Sequence, residues 1–409
     1  MIRSHFLIAG QCLVAGLAVI TRPAVSLMAS PASAQTVTVN NSLNVARTDS
    51  LVEVRTARHA QAWSVKIGDQ VFPAQYLNGK VRFVVSLAAH QSLPVTLVPQ
   101  AAPDSPRRVL VTLNIQDGGT LEGDAANGGA IKGGTFHLRD HYTVPKDHFI
   151  HDGLIGFEGI GWESDRVAYR LYLDTRAVPD LFGKYGTDMI FPNVGHGFDD
   201  YQYPRVWGGD IYKVGNALGM GGLGLLRDGK ATQVGPSTVT GRVVANGPVT
   251  AIAGVDADAV GGGRAFIHTT YALSAGDTVT HVDVAASSIK LPLVAGLTVH
   301  PGDTVIPSSP PSGAWTYIAV WGPQEHDKDE IGTALFYRSA SVAGEAGNDG
   351  QTVYVRFASR TQAHYAFAGR WVYENKDLAG NHAIKDINAF KAWLDAKTQE
   401  LDHPVETTR

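Results

Sequence analysis

The sequence predicts an all-β protein: a small antiparallel sandwich, then a large sandwich or barrel, then a single C-terminal helix. Three observations predict it. Short runs rich in Val and Thr recur along the chain at strand length, many alternating apolar and polar residues. Glycine is abundant, at 45 of 409 residues, while charged residues make up only 18%, which suits tight turns and half-buried strands. Helical periodicity stands out only near the end of the chain.

The elements follow in order. Arg3, an apolar run from Phe6 to Ile20 and the ending Ala32-Ser33-Ala34 have the three parts of a cleavable secretory signal, so residues 1–34 are expected to be removed and the protein to be periplasmic or secreted. The apolar run is too short for a mature membrane span, and no later segment approaches one. Residues 35–99 read as the small sandwich. Thr36–Asn40, Leu51–Arg55, Trp63–Ile67 and Val81–Val85 are its strands, with Gly68-Asp69 and Asn78-Gly79 as turns. The stretch 99–106, with three prolines, reads as a linker. From 107 to 409 strand signals continue almost without interruption, with no alternating β/α pattern. The helix is expected over Asp386–Lys397, with Asp386 as N-cap and Ile387, Phe390, Trp393 and Leu394 on one stripe.

Composition excludes several functions. The net charge of −4 argues against nucleic acid as a partner. The only cysteine, Cys12, lies in the signal segment, so the mature chain has neither disulfides nor thiolate metal sites. The remaining length, about 375 residues, is ample for a core that stands without them. Neither a phosphate loop nor a G-x-S-x-G nucleophile elbow occurs.

Polar chemistry collects in three places. Read as one strand, Thr135–Tyr142 puts His137, Arg139 and His141 on one face. The run Arg166–Asp174 puts Arg166, Arg170, Tyr172 and Asp174 on one face. Such faces suit an anionic substrate, because planar guanidinium forks pair with oxyanions; an ordinary solvated face balanced by Glu158, Glu163 and Asp165 is the competing reading. The loop His196–Asp210 brings His196, Tyr201, Tyr203, Arg205 and Trp207 together, with Lys213 just beyond, as a sugar cleft requires; a loop closing on its own aromatics is the alternative. No cofactor is expected. His137 and His141, in a histidine cluster with His148 and His151, leave room for a divalent metal, and Asp199-Asp200 is only a fragment of a calcium loop.

Several stretches resemble a known family: Gly161–Arg176, Asp180-Leu-Phe-Gly-Lys184, Trp207-Gly-Gly-Asp210 with Lys213–Gly219, Ala295–Gly302, Trp321-Gly-Pro-Gln324, Gly332–Tyr337 and Tyr365–Trp371. The family is one of bacterial exported proteins catalogued as a domain of unknown function and found in polysaccharide-utilisation gene sets. The resemblance covers essentially the whole mature chain. It implies the galactose-mutarotase-like supersandwich, shared with many polysaccharide lyases, and action on uronic-acid-containing oligosaccharides such as ulvan fragments, as a lyase or dehydratase. Where members have an aspartate-led turn after Trp-Gly, this chain has Pro323-Gln-Glu-His326.

Elimination beside a uronate carboxylate needs a group to neutralise the carboxylate, a base for the adjacent carbon and an acid for the departing oxygen. On the residues alone, Arg166 or Arg170 is the expected clamp, His137 or His196 the base, and Tyr201 or Tyr203 the acid. Arg139, His141, Arg205, Trp207 and Lys213 are expected to hold substrate. Three other classes compete: a glycoside hydrolase using Glu158 and Glu163 as its carboxylate pair, with Asp165 nearby, a non-catalytic sugar-binding protein, and a mutarotase-like epimerase.

Overall fold

The structure, a computed structural model, describes residues 34–57, 60–196, 201–202, 204–260, 263–307, 313–323, 329–378 and 383–409. Tyr203, the Asp199-Asp200 pair, the Gln324–His326 stretch and all of the expected signal segment before Ala34 lie outside the described residues.

The Val- and Thr-rich runs form strands, as their alternation dictates. Six of them, from Gln35–Asn40 to Ser92–Val98, make an antiparallel sheet whose inward residues (Val37, Val39, Val52, Val65, Phe83, Val95 and Leu97 among them) close on one another. The Asn78-Gly79 turn joins Gln70–Leu77 to Lys80–Leu87; both residues adopt positive φ, which suits Asn and Gly. A seventh strand comes from the far end of the chain. Glu406–Thr408 pairs antiparallel with Gln35–Asn40 and covers its edge.

The rest is two layers of antiparallel sheet, a supersandwich. A nine-stranded sheet forms one layer. A six-stranded and a five-stranded sheet lie against it, and a large apolar core fills the space between, including Val111, Trp162, Tyr169, Leu181, Val255, Tyr271, Leu335 and Phe367. Trp162 Nε1 donates to Thr280 Oγ1 at 3.0 Å, so the largest buried ring is also satisfied as a donor. The helix spans Ile387–Asp402. The Asp386 carboxylate accepts the Asn388 and Ala389 N–H groups at 2.8 Å each, and Phe390 and Leu394 are buried on the nine-stranded sheet with Ile387 and Trp393 beside them.

Two expected strands differ from the sequence reading. Thr135–Tyr142 is not one strand: Thr135–Leu138 is an edge of the six-stranded sheet, whereas His141–Thr143 pairs with Thr238–Asn246 in the nine-stranded sheet. The chain crosses between layers at Arg139-Asp140, where Arg139 N–H still donates to Leu113 O while Asp140 O already accepts Val243 N–H. Arg166 lies in the turn before its strand, which begins at Ala168, because Ser164 Oγ takes the Arg166 N–H and Val167 O takes the Ser164 N–H.

The six-stranded sheet runs, from edge to edge, Thr135–Leu138, Val109–Asp117, Ile155–Ser164, Ala168–Tyr172, Pro179–Lys184 and Gly208–Asp210. Its period of two separates two faces. Leu113, Ile160, Trp162, Tyr169 and Leu171 point into the main core. On the other face the register aligns Asn114, Gly161, Arg170 and Asp180 with Glu163, Ala168, Phe182 and Asp210. The segment after Lys184 folds back over this face and buries Ile190, Phe191, Val194 and Tyr201 against Phe157, Ala168 and Phe182. Gly161 makes room for it: a Cβ there would lie 2.6 Å from the Phe191 ring.

Glu163 pins that segment. Its fully buried carboxylate accepts Lys184 Nζ at 3.1 Å and the Ile190 and Phe191 N–H groups at 2.8 and 3.0 Å; Lys184 also donates to Ser164 O. Removing one partner leaves an uncompensated charge in the interior. Glu163→Ala is therefore expected to destabilise the fold by about 3–5 kcal/mol. Chemical denaturation will read this as a lower midpoint, and hydrogen exchange at the Ile190 and Phe191 amides will be faster. A variant with unchanged midpoint would refute this account of how the segment is held.

Candidate active site

At the centre of the non-core face stands Arg170, its side chain only 2% exposed. Nε and Nη2 donate to Asp180 Oδ2 at 3.2 and 2.7 Å, Nη2 also reaches Asp210 Oδ2 at 2.7 Å and the Tyr172 hydroxyl, and Nη1 donates to Phe157 O at 3.1 Å. Tyr172 donates its own proton to Asp180 Oδ2 at 2.6 Å. The guanidinium also lies over the rings of Tyr172, Phe182 and Tyr201, at 4.3, 5.0 and 5.4 Å. Sequence neighbours supply this set by register: Arg170 opposes Asp180, and Phe182 opposes Asp210 on the next strand.

Two carboxylates share one guanidinium, so ionising both would leave a surplus negative charge in a buried place. The two acids are unequally served. Asp180 takes Arg170, Tyr172 and, on Oδ1, the Leu181 N–H, whereas Asp210 Oδ1 is buried and makes no hydrogen bond of normal geometry among the described residues. Burial pushes the Asp210 carboxyl up to about 8; Arg170 pulls it down, and the charges of Asp180 and Glu158 push it further up. Burial likewise pushes the Tyr201 phenol up to about 12, against the pull of Arg170. At neutral pH both groups hold their protons.

The Ile155–Ser164 strand carries the next acid on a bulge. Its pairing with Val109–Asp117 shifts between Ile155 and Ile160, and Phe157 and Glu158 both adopt positive φ, at 40° and 61°. Such backbone strain is retained where the surroundings impose it, often at sites of chemistry. Gly195, itself at φ 78°, brings its carbonyl onto the Phe157 N–H at 3.1 Å, and a Cβ there would lie 2.3 Å from that nitrogen. The bulge aims Glu158 at Arg176 Nη2 (3.3 Å) and His151 Nε2 (3.0 Å), with its side chain 11% exposed. Arg176 is also held by Asp174 at 2.6 Å and stacks 3.4 Å from the Tyr172 ring centre. A continuous polar path thus runs from buried Asp210 through Arg170, Tyr172 and Arg176 to Glu158 and the half-exposed His151.

The expected site residues separate into two groups. Arg170, Tyr201 and His196 do share one face of one sheet. Tyr201 is buried there, and His196 stacks on Phe136 (4.8 Å between ring centres) while its Nε2 accepts the Asn114 amide at 2.6 Å. That acceptor nitrogen is occupied, so His196 is not poised as a base through it. Arg170 is spent on Asp180 and Asp210, so it holds the protein's own carboxylates and not a ligand's. Trp207 packs on Phe182, 6.4 Å between ring centres, and Arg205 is exposed in the same loop, its backbone paired with Gly208. The others lie elsewhere. His137 is exposed on the edge strand, where its register partner Ile115 faces the core side. Arg139 pairs with Asp117 at the surface, and His141 is exposed on the other sheet. Arg166 reaches Asn375 Oδ1 at 3.4 Å, and exposed Lys213 gives its backbone carbonyl to His300. Since His137 and His141 belong to different sheets, they do not form the shared face considered for a metal. Among the described residues no group of three or more His, Cys, Asp or Glu is placed to hold one.

Of the Glu158–Glu163 pair considered for hydrolysis and the nearby Asp165, Glu163 is sealed with Lys184, and Asp165 is bound by Arg108 at 2.7 Å and by the Gly276 N–H. Only Glu158 reaches the site, and its acidic neighbour there is Asp210. Asp180 and Asp210 both lie within the quoted resemblance motifs, but local spacing gives no sign that they meet on Arg170.

Comparison with known proteins places these features in context. Among curated proteins no relative matches. One similar solved structure is an α-mannosidase from Enterococcus faecalis V583, at 9% identity and a TM-score of 0.46, the match covering 92% of this chain and 46% of that one. Another is a protein in glycosyl hydrolase family 38 from Enterococcus faecalis, at 10% identity and a TM-score of 0.38, covering 92% and 47%. The chain spans about half the length of both. Residues 39–407 match the family described as a domain of unknown function, DUF4861, and the chain belongs to that family.

Proposed function

We propose that the protein is a carbohydrate-active carbon–oxygen lyase, eliminating water or a sugar from uronic-acid-containing oligosaccharides outside the cytoplasm. The observation that carries the reading is the buried Asp210, its Oδ1 without a hydrogen bond among the described residues and its carboxyl pushed up to about 8 by burial, on the same sheet face as the ion-paired Glu158. Glu158 takes the proton from the carbon beside the uronate carboxyl. The released electron pair forms the carbon–carbon double bond, the carbon–oxygen bond at the next position breaks, and the leaving oxygen takes the Asp210 proton. Tyr201 supports elimination: with its proton held up to about 12 it serves as a donor that tempers the negative charge of the substrate carboxylate, and not as a base. Arg205 and Trp207 on the overlying loop suit the carboxylate and the apolar face of the sugar. The resemblance to exported proteins of polysaccharide-utilisation gene sets points the same way.

The same pair favours a second reading. One protonated and one ionised carboxyl are also what glycoside hydrolysis uses. The discriminating measurement is incubation of the protein with ulvan, pectin and alginate oligosaccharides while following the absorbance of a new conjugated double bond. Elimination gives that chromophore; sugar release without it gives the hydrolase, and no product from any uronate oligosaccharide overturns both.

Three outcomes are expected of Asp210. Activity falls as pH rises through about 8, because the acid then loses its proton. Asp210→Asn lowers kcat by roughly 10²–10⁴-fold and abolishes that alkaline limb. Stability moves the other way. The folded-state pKa lies above the unfolded value of about 3.9, so the folded state holds an extra proton between about pH 4 and 8, and this group's contribution declines as pH rises through that window. Melting temperatures should therefore shift in favour of Asp210→Asn between about pH 5 and 8.5. A constant difference would show that Asp210 titrates normally.

A further inference from the structure

A separate cavity of about 400 Å³ opens beside this face, walled by Lys146, His148, Phe149, Asp174, Thr175 and Thr238 among others. It shares Asp174 with the polar path described above, through the ion pair of Asp174 with Arg176. His148 is the unusual member. Its side chain is only 7% exposed, and its Nδ1 lies 2.7 Å from Asp152 Oδ2, an acid itself 5% exposed. Asp152 is fixed in turn, for its oxygens accept the Phe149 and Leu154 N–H groups at 3.3 and 2.9 Å. The ring is thus oriented by a carboxylate that cannot swing away. Nε2 makes no hydrogen bond among the described residues. A loop staple would need only the Nδ1 bond; a buried ring with its second nitrogen left over at a cavity wall has the geometry of a ligand-binding group.

We propose that this cavity is a subsite for an oxyanion-bearing sugar, its carboxylate or sulfate held between His148 Nε2 and Lys146 Nζ and its ring lying against Phe149. Asp152 is the positioning residue that keeps His148 aimed, through its contact with Nδ1. The chemistry of both grips is that of charge-assisted hydrogen bonds to a compact anion. Asp174 is held at 2.6 Å by Arg176, which offsets its charge. The inference rests on the carbohydrate reading but not on elimination: the subsite would seat a sugar of the chain next to the one that reacts.

The test is isothermal titration of the protein with D-glucuronate, D-glucose 6-sulfate and D-glucose, with His148→Gln and Lys146→Ala alongside. Both anions, or one of them, should bind at least tenfold more tightly than glucose, and each substitution should cost roughly tenfold or more. The stronger of the two anions identifies carboxylate or sulfate as the natural group. In NMR spectra the His148 ring signals should shift with that anion and not with glucose. Lys146 is exposed, so its variant tests the idea even if His148→Gln folds poorly. Equal affinity for glucose and both anions, or wild-type anion affinity in Lys146→Ala, overturns the subsite. If anions bind as expected but no unsaturated product forms, elimination fails and the subsite stands. If product forms and Lys146→Ala keeps the wild-type KM on uronate oligosaccharides, the subsite fails and elimination stands.

Discussion

The non-core face of the six-stranded sheet depends on one guanidinium. Arg170 is buried where only a charge with partners can stay, and its partners come from its own strand, the two following strands and a bulge: Tyr172, Asp180, Asp210 and the Phe157 carbonyl. Each contact constrains a different element. Asp180 and Asp210 fix the two following strands against it, and Phe157 fixes the bulge that presents Glu158. Burial, helped by the charges of Asp180 and Glu158, is what pushes the Asp210 carboxyl into a range useful for proton transfer. Structure and chemistry therefore share a cause: the burial that makes the cluster costly also supplies the acid.

A second constraint is that the face is nowhere bare. Glu163 and Lys184 form a closed pair that holds the segment after residue 184 down over the sheet, and Phe191 enters the space left by Gly161. This cover excludes water from Arg170 and strengthens every electrostatic contact beneath it. It also directs the path outward in one direction, along Arg176 to Glu158.

Much of the fold was legible in the sequence, because strand alternation, the Asn78-Gly79 turn and the Asp386 cap are local signals. The face of Arg170 and Tyr172 was legible for the same reason, since period two fixes which residues stand together on a strand. What period two does not report is depth or company. It places Arg170 on a polar face, but whether that face meets solvent or a folded-back loop is decided by residues 20 to 40 positions later. Asp180 and Asp210 are unremarkable locally and meaningful only through register. The Thr135–Tyr142 reading failed at Arg139-Asp140 because alternation continues unbroken while the chain changes sheets. His148 drew attention only as one of a cluster, for nothing at its i+4 spacing to Asp152 says that the pair is buried.

The pairing of Glu406–Thr408 with Gln35–Asn40 has a kinetic meaning. The Gln35–Asn40 strand has its outer edge covered by residues 406–408. During synthesis that edge stays open until residues 406–408 have been made, and closing it joins segments more than 360 residues apart. The early sheet must either wait or fold with an unguarded flank. Residues 406–408 act as the latch that ends that exposure.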